Sequence, residues 1–177
     1  INCEFVPFMG GTAHKGILQS ALWIKDHYYE QIKAWIRQYK ATSFYLCGHS
    51  LGGSIASILV MLIYHDITKE FPSLLWKVYS FAPAPCVSPD LIAAFEPYIE
   101  SYINKHDPVP TLSYGAAMDL KEMLVHASKI SNNSSLSKEA KLESLYEFAT
   151  ELRKSNKHPR LLVPGQIFFM YKTTDPK

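Results

Sequence analysis

The chain is poor in cysteine, nearly balanced in charge, and lacks any long hydrophobic run. Its three cysteines, Cys3, Cys47 and Cys86, lie far apart among 177 residues. An odd count at wide spacing is neither a disulfide framework nor a zinc pattern; buried free thiols in a reducing, intracellular compartment are the expectation. The formal net charge is +2, too small to argue for nucleic acid or an anionic surface as partner. No run of about 18 apolar residues occurs, so no membrane span is expected. The longest apolar stretch, Ile55 to Tyr64, predicts a buried helix. There is no Gly-x-Gly-x-x-Gly and no Gly-Lys-Ser/Thr, which excludes the common phosphate-cradling loops. The seven histidines are scattered without ligand spacing, so neither metal nor organic cofactor is expected. No signal peptide is visible, and the chain opens on Ile1 in mid-pattern, so upstream sequence is expected.

What is present is a globular composition, 47% hydrophobic and 19% charged, long enough for one domain with a real core. Tyrosine and phenylalanine are plentiful, at 11 and 9. They suit an apolar pocket, and equally a large core.

Hydrophobic periodicity predicts a helix from Ala13 to about Tyr39, with Ile17, Ala21, Ile24, Tyr28, Ile32, Trp35 and Tyr39 on one face. Ser43 to Cys47 is a short apolar run without polar alternation, as in a central parallel strand covered on both faces. A helix follows from Leu51 to about His65. Leu74 to Phe81 is a strand ended by Ala82-Pro83-Ala84-Pro85. Ser88 as N-cap and Pro89 at the first helical position start a further helix. Ser101 to Asn104 reads as a strand and Met118 to Lys129 as a helix. Leu142, Leu145, Tyr146, Ala149 and Leu152 mark the inner face of another helix. After Pro164-Gly165 comes a last strand, Gln166 to Tyr171. Alternation of strands and helices predicts an α/β fold with a mostly parallel sheet flanked by helices. Ligands of such sheets sit beyond the carboxyl ends of the strands.

One motif falls at such an end. Gly48-His49-Ser50-Leu51-Gly52 lies between a predicted strand and a predicted helix, the context of a nucleophile elbow. A tight strand-to-helix turn holds the Ser50 hydroxyl clear of the sheet and strains the serine's backbone. Small residues are needed where strand and helix crowd, and Gly48, Gly52 and Gly53 supply them. The turn also aims the N–H of Leu51 and the helix N-terminus at the place where an oxyanion would form. The alternative reading is an ordinary glycine-rich turn; the flanking elements favour the elbow.

A hydrolytic serine needs a base, and the base needs an orienting carboxylate. In this architecture the order is Ser, then Asp or Glu, then His. Asp107 follows the strand at 101–104 and stands before Pro108. By position it is either the acid or a turn-forming Asp. The base is harder to place. His126 falls inside a predicted helix and His158 precedes the last strand. His14, His27, His49, His65 and His106 are in the wrong order.

At these residues the sequence resembles the class 3 lipases, most closely their diacylglycerol lipase-like branch. The likeness rests on Ala13-His14-Lys15-Gly16-Ile17 with Ser20-Ala21, on Phe44 to Ala56, on Asn104 to Ser113 with its Asp107-Pro108-Val109-Pro110, and on Leu161 to Ile167. It implies the α/β-hydrolase fold, Ser50 as nucleophile, Asp107 as the acid and the Leu51 N–H as one oxyanion donor. It also implies that residues 1–177 form a single but incomplete domain. The other oxyanion donor would lie upstream of Ile1 and the catalytic histidine beyond Lys177.

The function expected on that resemblance is a serine lipase or esterase acting on a glycerolipid such as a diacylglycerol or triacylglycerol. Its partner would be the lipid substrate, and its membrane contact would be peripheral. The alternative is a lipase-like scaffold without catalysis, suggested by the missing histidine. A third reading transfers the acyl group to an alcohol other than water.

Overall fold

In the computed structural model, which describes residues 4–155 and 157–172, the chain divides into two compact units. The first comprises the chain up to Thr111 together with the stretch from Leu161 onward; the second is Leu112–Arg160.

The first unit is an α/β layer. It opens with an antiparallel hairpin of β1 (Phe5–Phe8) and β2 (Gly11–His14); the sequence pattern assigns no element to β1 and starts the first helix at Ala13, inside β2. Then follow α1 (Lys15–Tyr39), β3 (Ser43–His49), α2 (Leu51–Glu70), β4 (Leu75–Phe81), α3 (Pro89–Phe95) and β5 (Ile99–Asn104). The strand β6 (Gln166–Met170) completes a four-stranded sheet in the order β3-β4-β5-β6, parallel at every pairing. Helix α2 packs on β3 and β4, and α1 packs on α2.

By length and composition α2 is apolar enough to cross a membrane. Here it is a core helix, with Gly53, Ser54, Ile58, Val60, Ile63 and Ile67 buried along it, the all-round burial expected of a helix apolar on every side. Trp76, Val78 and Ile99 face it from the core side of the sheet.

Three expectations need correction. First, β3 is not covered on both faces. It lies at the edge of the four described strands, and Tyr45 on its outer face is 56% exposed. Cys47 is exposed as well, so only Cys86 is a buried thiol among the described cysteines; Cys3 lies outside the described residues. The alternation was hidden because the outward positions of the run, Tyr45 and Cys47, are not charged, and the neighbouring strands place further aromatic side chains on that face. The aromatics form a cross-strand ladder, Tyr45 on Tyr79 at 6.0 Å and Tyr102 on Phe168 at 5.2 Å, which covers the sheet with its own side chains.

Second, the buried stripe of α1 is Ile17, Leu18, Ala21, Ile32 and Ile36, while Tyr28, Trp35 and Tyr39 are exposed. The stripe follows α2, and a regular 3.6-residue period cannot show which edge of an aromatic-rich face will meet a partner helix. Third, Ser88 is the N-cap residue of α3, but its side chain makes no cap bond. Its hydroxyl accepts from Thr12 N–H at 3.0 Å and ties the hairpin to the segment after β4.

The second unit is a helical hairpin, α4 (Tyr114–Ser131) and α5 (Lys138–Ser155). Ser113 caps α4 by accepting from Ala116 N–H at 3.2 Å. The inner face of α5 is rotated from the expected one. Leu152 is buried and Phe148 stacks on His126 at 4.3 Å, while Leu142 and Tyr146 are exposed.

Candidate active site

The parallel sheet brings the ends of β3, β4 and β5 to one edge. His49 is level with Phe81, and Phe81 with Tyr102. Ser50 follows immediately after β3 and Asp107 three residues after the end of β5. One strand separates their two strands, a backbone spacing of about 10 Å at the usual inter-strand distance.

Ser50 sits at the turn with φ 52° and ψ −122°, a region that side-chain-bearing residues enter only when their surroundings force them, at about 1–3 kcal/mol. Those surroundings are visible. The Ser50 N–H donates to the Phe81 carbonyl at 2.8 Å, and the Ser50 carbonyl accepts from Gly53 N–H at 3.0 Å. A Cβ on Gly48 would lie 2.3 Å from the Gly52 carbonyl carbon and oxygen, and one on Gly53 would lie 2.5 Å from Ser80 Oγ. Strand and helix therefore touch through backbone. Gly52 differs from the expectation: a Cβ there meets nothing within 4 Å, so its smallness is not required by crowding.

Three buried serines behind the turn were not singled out in the sequence. Ser54 Oγ donates to the Ala84 carbonyl at 2.8 Å, Ser57 Oγ donates to the Gly53 carbonyl at 2.9 Å, and Ser57 and Ser80 hydroxyls lie 3.4 Å apart. Their signal was the small-residue spacing Gly53, Ser54 and Ser57 inside an otherwise aliphatic helix. Beside them, burial pushes the Cys86 thiol up to about 12, so it stays a neutral packing group.

Leu51 is the first residue of α2, its side chain 54% exposed. The first N–H groups of a helix have no intrahelical acceptor, so the Leu51 N–H is free in principle to bind an oxyanion.

Asp107 is partly buried. Its Oδ1 accepts from Val109 N–H at 2.9 Å, and its own N–H donates to the Asn104 carbonyl at 3.1 Å. This is a short side-chain-to-backbone turn. The second oxygen is not used by it. Asp107 borders an apolar cleft of about 560 Å³ whose walls include Ile92, Ile103, Leu162, Ile167 and Phe169.

No described histidine hydrogen-bonds to Ser50 or Asp107. In the second unit His126 Nε2 lies 3.1 Å from Ser144 Oγ. His158 Nε2 lies 2.8 Å from Glu122 Oε1. The Glu122 carboxyl is held below the usual range by Lys157 first and by His158 second. His49 and His106, next to Ser50 and Asp107 in sequence, are exposed. Among the described residues no cluster of His, Cys, Asp or Glu is placed to hold a metal.

Comparison with solved structures finds the same fold in fungal lipases. The lipase of Rhizopus microsporus var. chinensis matches at 20% identity and TM-score 0.55, over 62% of this chain and 40% of that one. The Rhizomucor miehei lipase in complex with its propeptide matches at 21% identity and TM-score 0.57, over 66% of this chain and 39% of that one. A triacylglycerol lipase described as having a serine-protease triad at its catalytic centre matches at 20% identity and TM-score 0.55, over 66% and 46%. The chain thus spans less than half the length of each. No curated protein matches the sequence. The family described as Lipase (class 3) matches residues 1–116, the stretch that holds the elbow, α2 and Asp107. The parallel sheet flanked by helices is that of the α/β hydrolases, and the chain belongs to the class 3 lipase family.

Proposed function

We propose that this chain carries the nucleophile and the acid of a serine lipase acting on a glycerolipid ester. The observation that carries the reading is the backbone of Ser50, held at φ 52° by contacts on both sides. Such strain persists where surrounding structure over-determines it, and it concentrates at reactive positions. The triad named for one of the similar lipases supplies the chemistry. Ser50 Oγ attacks the ester carbonyl and its proton passes to a histidine oriented by Asp107. The carbonyl electron pair moves onto oxygen, stabilised by the Leu51 N–H. Collapse expels the alcohol, protonated by the same histidine, and water releases the fatty acid by the reverse sequence. The apolar cleft beside Asp107 suits a substrate with a hydrocarbon part. The ester would be that of a diacylglycerol, as the resemblance to the diacylglycerol lipase-like branch suggests, or of a triacylglycerol, the class named for one of the similar lipases.

The histidine would come from residues beyond the described ones. That none of those described reaches Ser50 favours a second reading, a lipase-like scaffold without catalysis. Labelling the native full-length protein with a fluorophosphonate probe separates the two. Labelling that vanishes in Ser50→Ala establishes an activated serine; a folded protein that does not label is a scaffold. Product analysis with an added alcohol then separates hydrolysis from acyl transfer.

A further inference from the structure

The loop between α4 and α5 lies beyond residue 116, where the family match ends, and it holds Asn132-Asn133-Ser134-Ser135. Every residue from 132 to 137 is exposed. An asparagine carboxamide is open to attack by the main-chain nitrogen that follows it, since both belong to one chain and ring closure needs no encounter. The reaction needs that nitrogen free and the amide carbonyl polarised. The described asparagines differ on both counts. After Asn104 the Lys105 N–H donates to the Met170 carbonyl at 2.9 Å, and after Asn132 the Asn133 N–H donates to the Ile130 carbonyl at 3.2 Å. After Asn133 the Ser134 N–H has no acceptor among the described residues. The Asn133 side-chain carbonyl is also the polarised one. Its Oδ1 accepts from Ser135 N–H at 3.0 Å and from the Ser135 hydroxyl at 2.6 Å. Two donors on one carbonyl oxygen favour negative charge developing there, as in an oxyanion hole.

We propose that Asn133 is a site of spontaneous covalent modification, converted to aspartate and isoaspartate by its own loop. Ser134 N loses its proton to hydroxide and forms a bond to Asn133 Cγ, and the carbonyl electron pair moves onto Oδ1, between the two Ser135 donors. Collapse breaks the Cγ–Nδ2 bond. Ammonia leaves with a proton taken from water, which restores the hydroxide, and a cyclic imide remains. Water then opens the imide at either carbonyl. Cleavage of the new bond between Ser134 N and Cγ gives aspartate. Cleavage at the main-chain carbonyl gives isoaspartate, in which the chain runs through the former side chain. The aspartate keeps both Ser135 bonds, now charge-assisted, and places a negative charge just before α5, where the first N–H groups of a helix favour it. The isoaspartate lengthens the main chain by one carbon and breaks the turn. The site is independent of Ser50 chemistry and would react in a scaffold as well as in an enzyme.

Ageing of the full chain in mildly alkaline buffer, followed by peptide mass spectrometry with fragmentation, tests it. The expected result is conversion severalfold faster at Asn133 than at Asn132 or Asn104, with methyl transfer by an isoaspartate-specific carboxyl methyltransferase reporting the second product. Ser135→Ala removes one of the two donors and is expected to slow conversion about two- to tenfold, the worth of one hydrogen bond. Ser134→Pro leaves no proton on the attacking nitrogen and is expected to abolish it. In denaturant the lead over Asn104 should shrink, because the Lys105 N–H is then released from Met170. Ser134 and Ser135 are exposed, so circular dichroism of the variants should match that of the native chain. Conversion no faster at Asn133 than at Asn104 would overturn the proposal, as would ammonia loss at Asn133 that continues in Ser134→Pro or a rate that Ser135→Ala leaves unchanged.

Discussion

The two loops that carry the candidate catalytic residues are built in opposite ways. At the elbow the reacting residue is itself the strained one, with φ 52° at Ser50 and backbone contacts on either side. At the acid turn the positive φ falls on Lys105, at 50°, two residues before Asp107, and Asp107 is held by one turn bond to Val109. A nucleophile must project from a crowded edge at one angle, and only strain gives that angle. A carboxylate that orients a base needs only to stand within reach, and an ordinary turn suffices.

The contrast is sharpest in activity. If both loops serve one triad in the full protein, Ser50→Ala should lower kcat by roughly 10⁶. Asp107→Asn keeps the shape and the bond to Val109, and should cost roughly 10⁴ through loss of the orienting charge. Ester hydrolysis by the two variants measures both. Equal losses at background level would be compatible with one unit; an Asp107→Asn variant of full activity would remove Asp107 from the site.

The next effect is on stability, and it divides the glycines of the elbow. Gly48→Ala places a methyl 2.3 Å from the Gly52 backbone and should destabilise by about 3 kcal/mol or more, since neither strand nor helix can yield cheaply. Gly52→Ala meets no atom within 4 Å and should be neutral or stabilising by up to about 1 kcal/mol through helix propensity. Urea unfolding of the two variants reads the difference. Similar losses in both would mean that crowding is not what shapes the turn.

The contrast also explains what was legible in the sequence. Glycine in a strand-to-helix context leaves few readings, so Ser50 and its flanks stood out. Asp before Pro has a common turn use, and only the family likeness raised Asp107 above it. Burial was least legible where aromatics are abundant. Tyr45 in β3 and Tyr28, Trp35 and Tyr39 in α1 count as core by composition yet lie exposed. An apolar pattern reports a willingness to be buried, and a neighbouring element decides whether it is. The hairpin β1–β2 escaped notice for the related reason that four-residue strands hold too few positions to show a period.

The smallest effect isolates strain from chemistry. Glycine enters the positive-φ region without the side-chain penalty of about 1–2 kcal/mol. Ser50→Gly and Lys105→Gly should therefore each change stability by about 1 kcal/mol or less in the favourable direction, after the greater entropy of glycine in the unfolded chain is subtracted. Their activities should part completely. Ser50→Gly loses the attacking oxygen and should not label with a fluorophosphonate, while Lys105→Gly leaves Asp107 and its bond to Val109 in place and should label as the native protein does. A Lys105→Gly variant that gained stability but lost labelling would show that strain at the acid turn also serves to aim a reacting group, and the two loops would then differ only in degree.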